Sequence, residues 1–366
     1  MYVGMCDDVQ LSLRRARVRG FVEKCESWRL TSRFFPSKVG GKPAWLELKN
    51  IPGKSDLECE YCNEVCVFLC QIYAPYEENV DAFHRTIYIF ICKNVDCCRP
   101  NQNGNLKVFR SQLSRVNSFY PSEPPVEQKN WRTDIDVSQW TKTCCICGIA
   151  APSHCAKCKV VNYCCRVHQV YDWKNGHKHT CGAEANSDNN FLFPEYEIVV
   201  ESDDSVKDNM EQDDFEREQR EIKKYNAMIK NGKAGSLQHE DVNDDLLQMA
   251  SDEKDEIFVE FRMGIDNYPD QILRYDRGGK VLYISQQNKI ADVPKCPECN
   301  SDRQFEFQIM PQLLNYLGLN DIVKCLDWGI LAVFTCKQSC APNDTYIREY
   351  IWKQDIVTDS RINQDA

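Results

Sequence analysis

Long apolar runs are missing from this 366-residue chain. The most apolar stretches, residues 87–92 and 329–336, have the length of a strand and fall far short of the ~18 residues a membrane-spanning helix needs. No N-terminal segment joins basic residues to an apolar core and a small-residue cleavage site, so no secretory signal is expected. Close cysteine pairs then read as metal ligands of a reducing compartment, not disulfides, and the Asn343-Asp344-Thr345 sequon is incidental. An excess of positive charge is missing too. The formal net charge is −10, and residues 201–256, with 18 acidic and 8 basic side chains, account for all of it. Phosphate recognition would need a basic excess on the folded parts, and only residues 11–24 are clearly basic, so direct nucleic-acid binding is not expected. Catalytic signatures are also lacking: no His-Glu-x-x-His, no phosphate-cradling glycine loop (Gly278-Gly279 stands alone), and no deaminase pattern, Pro294 lying one residue too early. An enzyme is not expected. His84 is the best isolated catalytic candidate, against the simpler reading of a satisfied structural histidine.

What the chain has in quantity is cysteine, 22 in all. One stretch reads Cys144-x2-Cys147-x7-Cys155-x2-Cys158-x5-Cys164-x3-His168-x8-His177-x3-Cys181, a series of candidate ligands in close pairs. A structural zinc takes four N or S donors, and a close Cys pair supplies two of them from one tight turn, so this series suits two tetrahedral sites. A segment under ~40 residues cannot bury enough apolar surface to fold alone, and bound metal would supply most of its folding free energy. The bland alternative is a set of free thiols.

The ending Tyr163-Cys164-x3-His168-Gln169-x3-Trp173-x3-His177-x3-Cys181 resembles a MYND zinc finger. That resemblance implies cross-braced metals, with Cys144, Cys147, Cys164 and His168 on one zinc and Cys155, Cys158, His177 and Cys181 on the other. Cys145, His154, Cys165 and His179 are left over, beside ligands they could replace by a one-residue slip. The resemblance also implies that Gln169 and Trp173 grip proline-rich peptides; packing of the finger's small core is the other reading of Trp173.

Two further knuckles, Cys59-Glu60-Tyr61-Cys62 and Cys296-Pro297-Glu298-Cys299, each have a distant second pair, Cys92 with Cys97 and Cys336 with Cys340. Each set is a candidate site for one more zinc. The two regions repeat one another. Counted from the second knuckle cysteine, Asn63 matches Asn300, Phe68 matches Phe305 and Gln71-Ile72 matches Gln308-Ile309, with a proline following at Pro75 and Pro311. Phe90-x-Cys92 matches Phe334-x-Cys336, Phe109-Arg110 matches Trp352-Lys353, and upstream Trp45-Leu46 corresponds to Tyr283-Ile284. An internal repeat of this length predicts two related halves, each stapled by one zinc, with the finger inserted between them.

Alternating or apolar runs rich in β-branched and aromatic residues predict strands at 65–73, 86–92, 305–309, 330–334 and 346–352, and a strand over 191–200 returning from the finger to the body. Prolines predict short helices over 269–274 and 311–317. Cys66, Cys70 and Cys325 read as buried small hydrophobes. The expected fold class is α+β, mostly β. It comprises a flexible basic tail (1–26), an N-terminal β-rich half (27–125), the finger (138–183), a returning strand (188–200), an acidic disordered linker (201–256) with a transient helix over 214–230, and a C-terminal β-rich half (257–366).

From about residue 27 onward the chain resembles the programmed cell death protein 2 family. The stretches carrying the match include Phe35-Pro36-Ser37-Lys38-Val39-Gly40-Gly41-Lys42-Pro43-Ala44-Trp45-Leu46, Asp81-Ala82-Phe83-His84-Arg85, Met310-Pro311-Gln312-Leu313-Leu314-Asn315-Tyr316-Leu317 and Asp327-Trp328-Gly329-Ile330. The resemblance implies a cytoplasmic protein with a nuclear pool, a dedicated chaperone that escorts one newly made, basic small-subunit ribosomal protein toward 40S assembly. The alternative it implies is a finger-dependent adaptor in transcriptional co-regulation, proliferation and apoptosis. The acidic linker would steer a basic client, or serve only as a spacer. The Gly40-Gly41-Lys42-Pro43 turn and Trp45 are candidates for client contact, against a tight turn beside a core tryptophan.

Overall fold

Runs of β-branched and aromatic residues set the architecture. In a computed structural model, which describes residues 17–182, 190–202, 256–266, 268–319, 326–341 and 346–356, they form β1 (Val18–Glu23), β2 (Lys38–Val39), β3 (Val67–Tyr73), β4 (His84–Ile91), β5 (Leu106–Leu113), β6 (Ser153–His154), β7 (Asn162–Tyr163), β8 (Tyr196–Ser202), β9 (Leu273–Tyr275), β10 (Arg303–Ile309), β11 (Ile330–Cys336), β12 (Ile347–Arg348) and β13 (Tyr350–Gln354). Helix is sparse: Arg166–Asp172 in the finger and Glu256–Asp266 before the C-terminal strands are the longest pieces among the described residues. Strands β6 and β7 form a small ribbon in the finger.

The other eleven strands make one sheet in the order β12-β5-β4-β3-β2-β8-β1-β9-β10-β11-β13, antiparallel throughout. Its two ends are consecutive in sequence. β12 pairs with β5 and β13 with β11, and only Glu349 separates them, so the sheet curls into a near-barrel that leaves little free edge. Alternation then sorts side chains between two cores. On β4, Ile87, Ile89 and Ile91 point inward to a core shared with Phe307, Ile309, Leu331 and Val333, while Tyr88 and Phe90 point outward to Trp45, Leu46 and the finger.

Ionic groups from both halves are buried inside the near-barrel. Arg85 on β4 meets Glu306 on β10 through a two-bond fork of 2.7 and 3.0 Å, and Tyr275 and Thr335 also donate to that carboxylate. Burial opposes the charge on Glu306, but Arg85 first, then Arg277 and Thr335, hold its carboxyl down at about 2. A buried pair of this kind adds little net stability, because taking both charges out of water costs about as much as their attraction returns.

Several expectations need correction. Residues 18–23, assigned to a flexible basic tail, form β1 near the middle of the sheet, paired with β8 on one side and β9 on the other. The arginines that suggested a tail find partners instead: Arg17 pairs with Asp276 and Arg19 lies over the Tyr268 ring at 3.9 Å. Residues 269–274, placed in a proline-opened helix, are not helical: a turn at Pro269-Asp270 leads into β9, whose backbone groups pair with both β1 and β10, and this tertiary pairing overrides the local signal. The run at 346–352 is split in two at Glu349. The returning strand is β8, shifted to Tyr196–Ser202, and joins β2 to β1. Residues 311–316 adopt a 3₁₀ turn opened by Pro311. The tail before residue 17, the segment 214–230 and most of the acidic stretch lie outside the described residues.

Candidate metal centres

Four tight turns of one design present the leading cysteines. In each, the residue after the second cysteine adopts a left-handed backbone: Asn63 at φ 59°, Gly148 at 76°, Lys159 at 59° and Asn300 at 57°. Its N–H bonds to the carbonyl of the first cysteine at 2.9 to 3.0 Å, and the first cysteine's own N–H reaches forward to Glu64, Ile149, Val161 or Ser301. Backbone N–H groups are thereby turned toward the sulfurs. Burial pushes the Cys59 thiol up, but the N–H groups of Tyr61 and Cys62 and the neighbouring thiols bring it down; the Cys158 N–H, against burial, brings Cys155 down to about 6.

The remote pairs then arrive at the turns. The donor atoms of Cys59, Cys62, Cys92 and Cys97 gather within 4.8 Å of one another, as do those of Cys144, Cys147, Cys164 and His168, of Cys155, Cys158, His177 and Cys181, and of Cys296, Cys299, Cys336 and Cys340. Cys62 and Cys92, Cys147 and Cys164, and Cys296 and Cys340 lie 3.6 Å apart, and Cys299 and Cys336 3.5 Å apart. A tetrahedron with bonds of ~2.3 Å has edges of ~3.8 Å, so the spacing matches four donors around one zinc, whereas a disulfide would need ~2 Å. All the described cysteines outside masked segments are free thiols. The donors are sulfur and imidazole with no carboxylate, and these four clusters could hold zinc.

Local structure explains the two clusters of the finger. On the helix Arg166–Asp172, His168 and Asp172 share a face one turn apart. His168 joins the first cluster, while Asp172 accepts from Tyr163 Oη at 2.6 Å and lies 3.9 Å from Nδ1 of His177, whose Nε2 faces Cys158. The first cluster is wholly buried because the finger docks on the body. Trp45 Nε1 donates to Gly148 O at 2.8 Å, Ala150 N to Pro52 O, Thr141 Oγ1 to Lys49 O, and Phe191 stands edge-on to His168. The second cluster projects outward beside a groove of about 300 Å³ lined by Tyr163, Gln169, Val170 and Trp173, the last 37 % exposed.

The remaining candidates fall as follows. Cys145 faces Asp172, Cys165 caps the helix Arg166–Asp172, and His154 and His179 are exposed; none of the four joins a cluster. Cys66 and Cys70 are buried, and Cys325 lies outside the described residues. His84 is buried, stacked on Phe35 at 4.3 Å and bonded through Nδ1 to Tyr73 Oη at 2.9 Å; burial and then Arg115 push its pKa down to about 4. Trp45, a candidate for client contact, is a core residue at 1 % exposure.

One signal was passed over in the sequence. Gly40-Gly41-Lys42-Pro43-Ala44-Trp45 has a counterpart in Gly278-Gly279-Lys280-Val281-Leu282-Tyr283. Gly40 and Gly278 both take positive φ, and each donates its N–H into the adjacent strand, to Leu69 O and Phe305 O. Gln71 then accepts from Ala44 N at 2.9 Å while Gln308 accepts from Leu282 N at 2.8 Å, the same bond in each half. A one-residue irregularity falls at Phe68/Cys70 in one half and at Phe305/Phe307 in the other.

The family described as "Programmed cell death protein 2, N-terminal domain" matches residues 18–127, and its C-terminal counterpart matches residues 255–355. The chain is similar to "Programmed cell death protein 2" of Bos taurus, 43% identical over 348 residues (92% of this chain and 96% of that one), and to that of Mus musculus, 41% identical over 347 residues with the same coverage. It also matches "Probable 20S rRNA accumulation protein 4" of Schizosaccharomyces pombe, 36% identical over 94 residues, 22% of this chain and 23% of that one. No solved structure matches.

Proposed function

The chain belongs to the programmed cell death protein 2 family, and from that premise we propose that it is a non-enzymatic, zinc-binding escort for a newly made small-subunit ribosomal protein. The observation that carries this reading is the kinship with a fission-yeast protein whose name ties it to 20S rRNA, which points to ribosome production. Electrostatics supports it. A protein made to bind RNA is basic, and residues 201–256, carrying the chain's whole net charge of −10, would steer such a client to the body.

In this reading four zinc ions serve the fold, two in a MYND-type finger and one in each half. The halves are a duplicated unit, supported by the matching turns and by the Gln71 and Gln308 bonds. Each cluster supplies four protein donors, which leaves no position for an activated water. We place the protein in the cytoplasm with a nuclear pool. Affinity capture from cells should recover one 40S protein in stoichiometric amount, and depletion should lower free 40S subunits; capture that recovers no ribosomal protein overturns the escort. Metal analysis of the purified chain should find four zinc ions.

A second reading rests on the groove beside Trp173, whose exposed apolar wall suits an extended peptide. A finger-borne adaptor in co-regulation, proliferation or apoptosis would lose its partner on Trp173→Ala while 40S levels stay unchanged.

A further inference from the structure

The outer clusters sit in opposite halves, yet neither is held by its own half alone. Arg110, on β5 of the N-terminal half, is fully buried; its Nη1 donates to Cys340 O at 2.9 Å and its Nη2 lies 3.9 Å from Cys340 Sγ. Its Nε binds Glu349 at 2.6 Å, and that carboxylate accepts the Cys336 N–H. Two residues on, Gln112 Nε2 donates to Ser339 O at 3.1 Å. The return contact comes from β13. Lys353 Nζ donates to Arg99 O at 3.2 Å, just after Cys97, and Asp355 exchanges two bonds with Asn101, accepting its N–H at 2.6 Å and donating its own N–H to Oδ1 at 2.9 Å. Arg110 and Lys353 occupy matching places in the repeat, as do Gln112 and Asp355.

We propose that the two outer metal centres are positioned crosswise: Arg110 and Gln112 of the N-terminal half hold the Cys336–Cys340 loop, and Lys353 and Asp355 of the C-terminal half hold the loop that follows Cys97. The inference rests on the zinc reading given above. A loop that is ordered before the metal arrives binds it more tightly, so loading either half favours loading the other, and the coupling is reciprocal. The clamps are positioning residues, since their contacts are made mostly to the backbone of the loops that carry the ligands.

The test is a chelator challenge of the full-length zinc-loaded protein, with cysteine alkylation followed site by site by mass spectrometry. Loss of a group that orients metal ligands typically weakens metal binding by ~10–100-fold. Arg110→Ala should therefore speed alkylation of Cys296, Cys299, Cys336 and Cys340 about tenfold or more and leave Cys59, Cys62, Cys92 and Cys97 within about twofold of wild type. Lys353→Ala should do the reverse, and Lys353→Arg should restore protection. Should the alanine variants fail to fold, Gln112→Leu and Asp355→Ala, which keep the buried charges of Arg110 and Lys353 but remove the Gln112 donor and the Asp355 acceptor, must show the same crossed pattern in weaker form. Four zinc ions in the wild type with each variant exposing its own half, or both halves equally, overturns the crosswise arrangement alone. Outer cysteines that react as free thiols in the wild type overturn both it and the zinc reading.

Discussion

The finger's two clusters have the same donors, three cysteines and one histidine, and opposite relations to the rest of the molecule. The first is buried on all four ligands and shares a core with Trp45, Phe68, Tyr88 and Phe90 of the body. The second keeps Cys158 and Cys181 half-exposed and stands beside the groove lined by Tyr163, Gln169 and Trp173. Metal at the first would be a packing element of the N-terminal half; metal at the second would shape a binding surface. Identical coordination chemistry therefore carries different structural weight, according to what lies outside the ligands.

The sharpest way to break the contrast is to remove one ligand from each. Cys147→Ser should destabilise the body by at least ~4 kcal/mol, seen as faster hydrogen exchange in β3 and β4, because it removes a metal from within a shared core; unchanged exchange there would equate the two clusters. The next effect comes from the body alone. The pKa of His84 is depressed to about 4 from 6.5, so the fold binds the neutral ring. Stability is then full above pH 6.5 and falls between pH 6.5 and 4 as the unfolded chain takes up the proton first, by on the order of 3 kcal/mol. His84→Phe should flatten that part of a stability-pH curve while leaving zinc content unchanged, which separates the body's acid response from metal loss. Trp45→Phe keeps the aromatic packing and deletes the bond to Gly148 O, and should cost about 1–2 kcal/mol in denaturant unfolding. Smallest is Cys158→Ser, which should lose one zinc and the groove but move exchange in β3 and β4 by less than ~0.5 kcal/mol.

Cysteine spacing made the metal clusters readable, because a knuckle is a local device whose ligands are separated by only two residues and whose turn needs only Asn, Gly or another residue that tolerates a left-handed backbone. The strands of both halves were readable where apolar residues run together, as along 86–92. Three features were not. β1 alternates buried Val18 and Gly20 with less buried residues, but Arg17 just before it and Arg19 within it give the segment a basic cast, and their partners Asp276 and Tyr268 lie some 250 residues away. The prolyl signal at Pro269 was real but local, and the pairing of β9 with two strands outweighs it. Arg110 and Lys353 were legible only as matching places in the repeat, not as clamps, since nothing nearby in sequence announces a buried carboxylate or a carbonyl contributed by the other half.

The central place of β1 bears on the order in which the chain is made. Residues 18–23 leave the ribosome early, but their partners at 196–202 and 273–275 follow much later, a delay on the order of ten seconds or more at ~5–20 residues per second. Until then the middle of the sheet does not exist, and the N-terminal strands β2 to β5 wait with an open edge at β2. β1 therefore cannot take its full place until the chain has been made as far as residue 275, a long-range closure that slows folding and leaves the nascent N-terminal half dependent on protection of that edge.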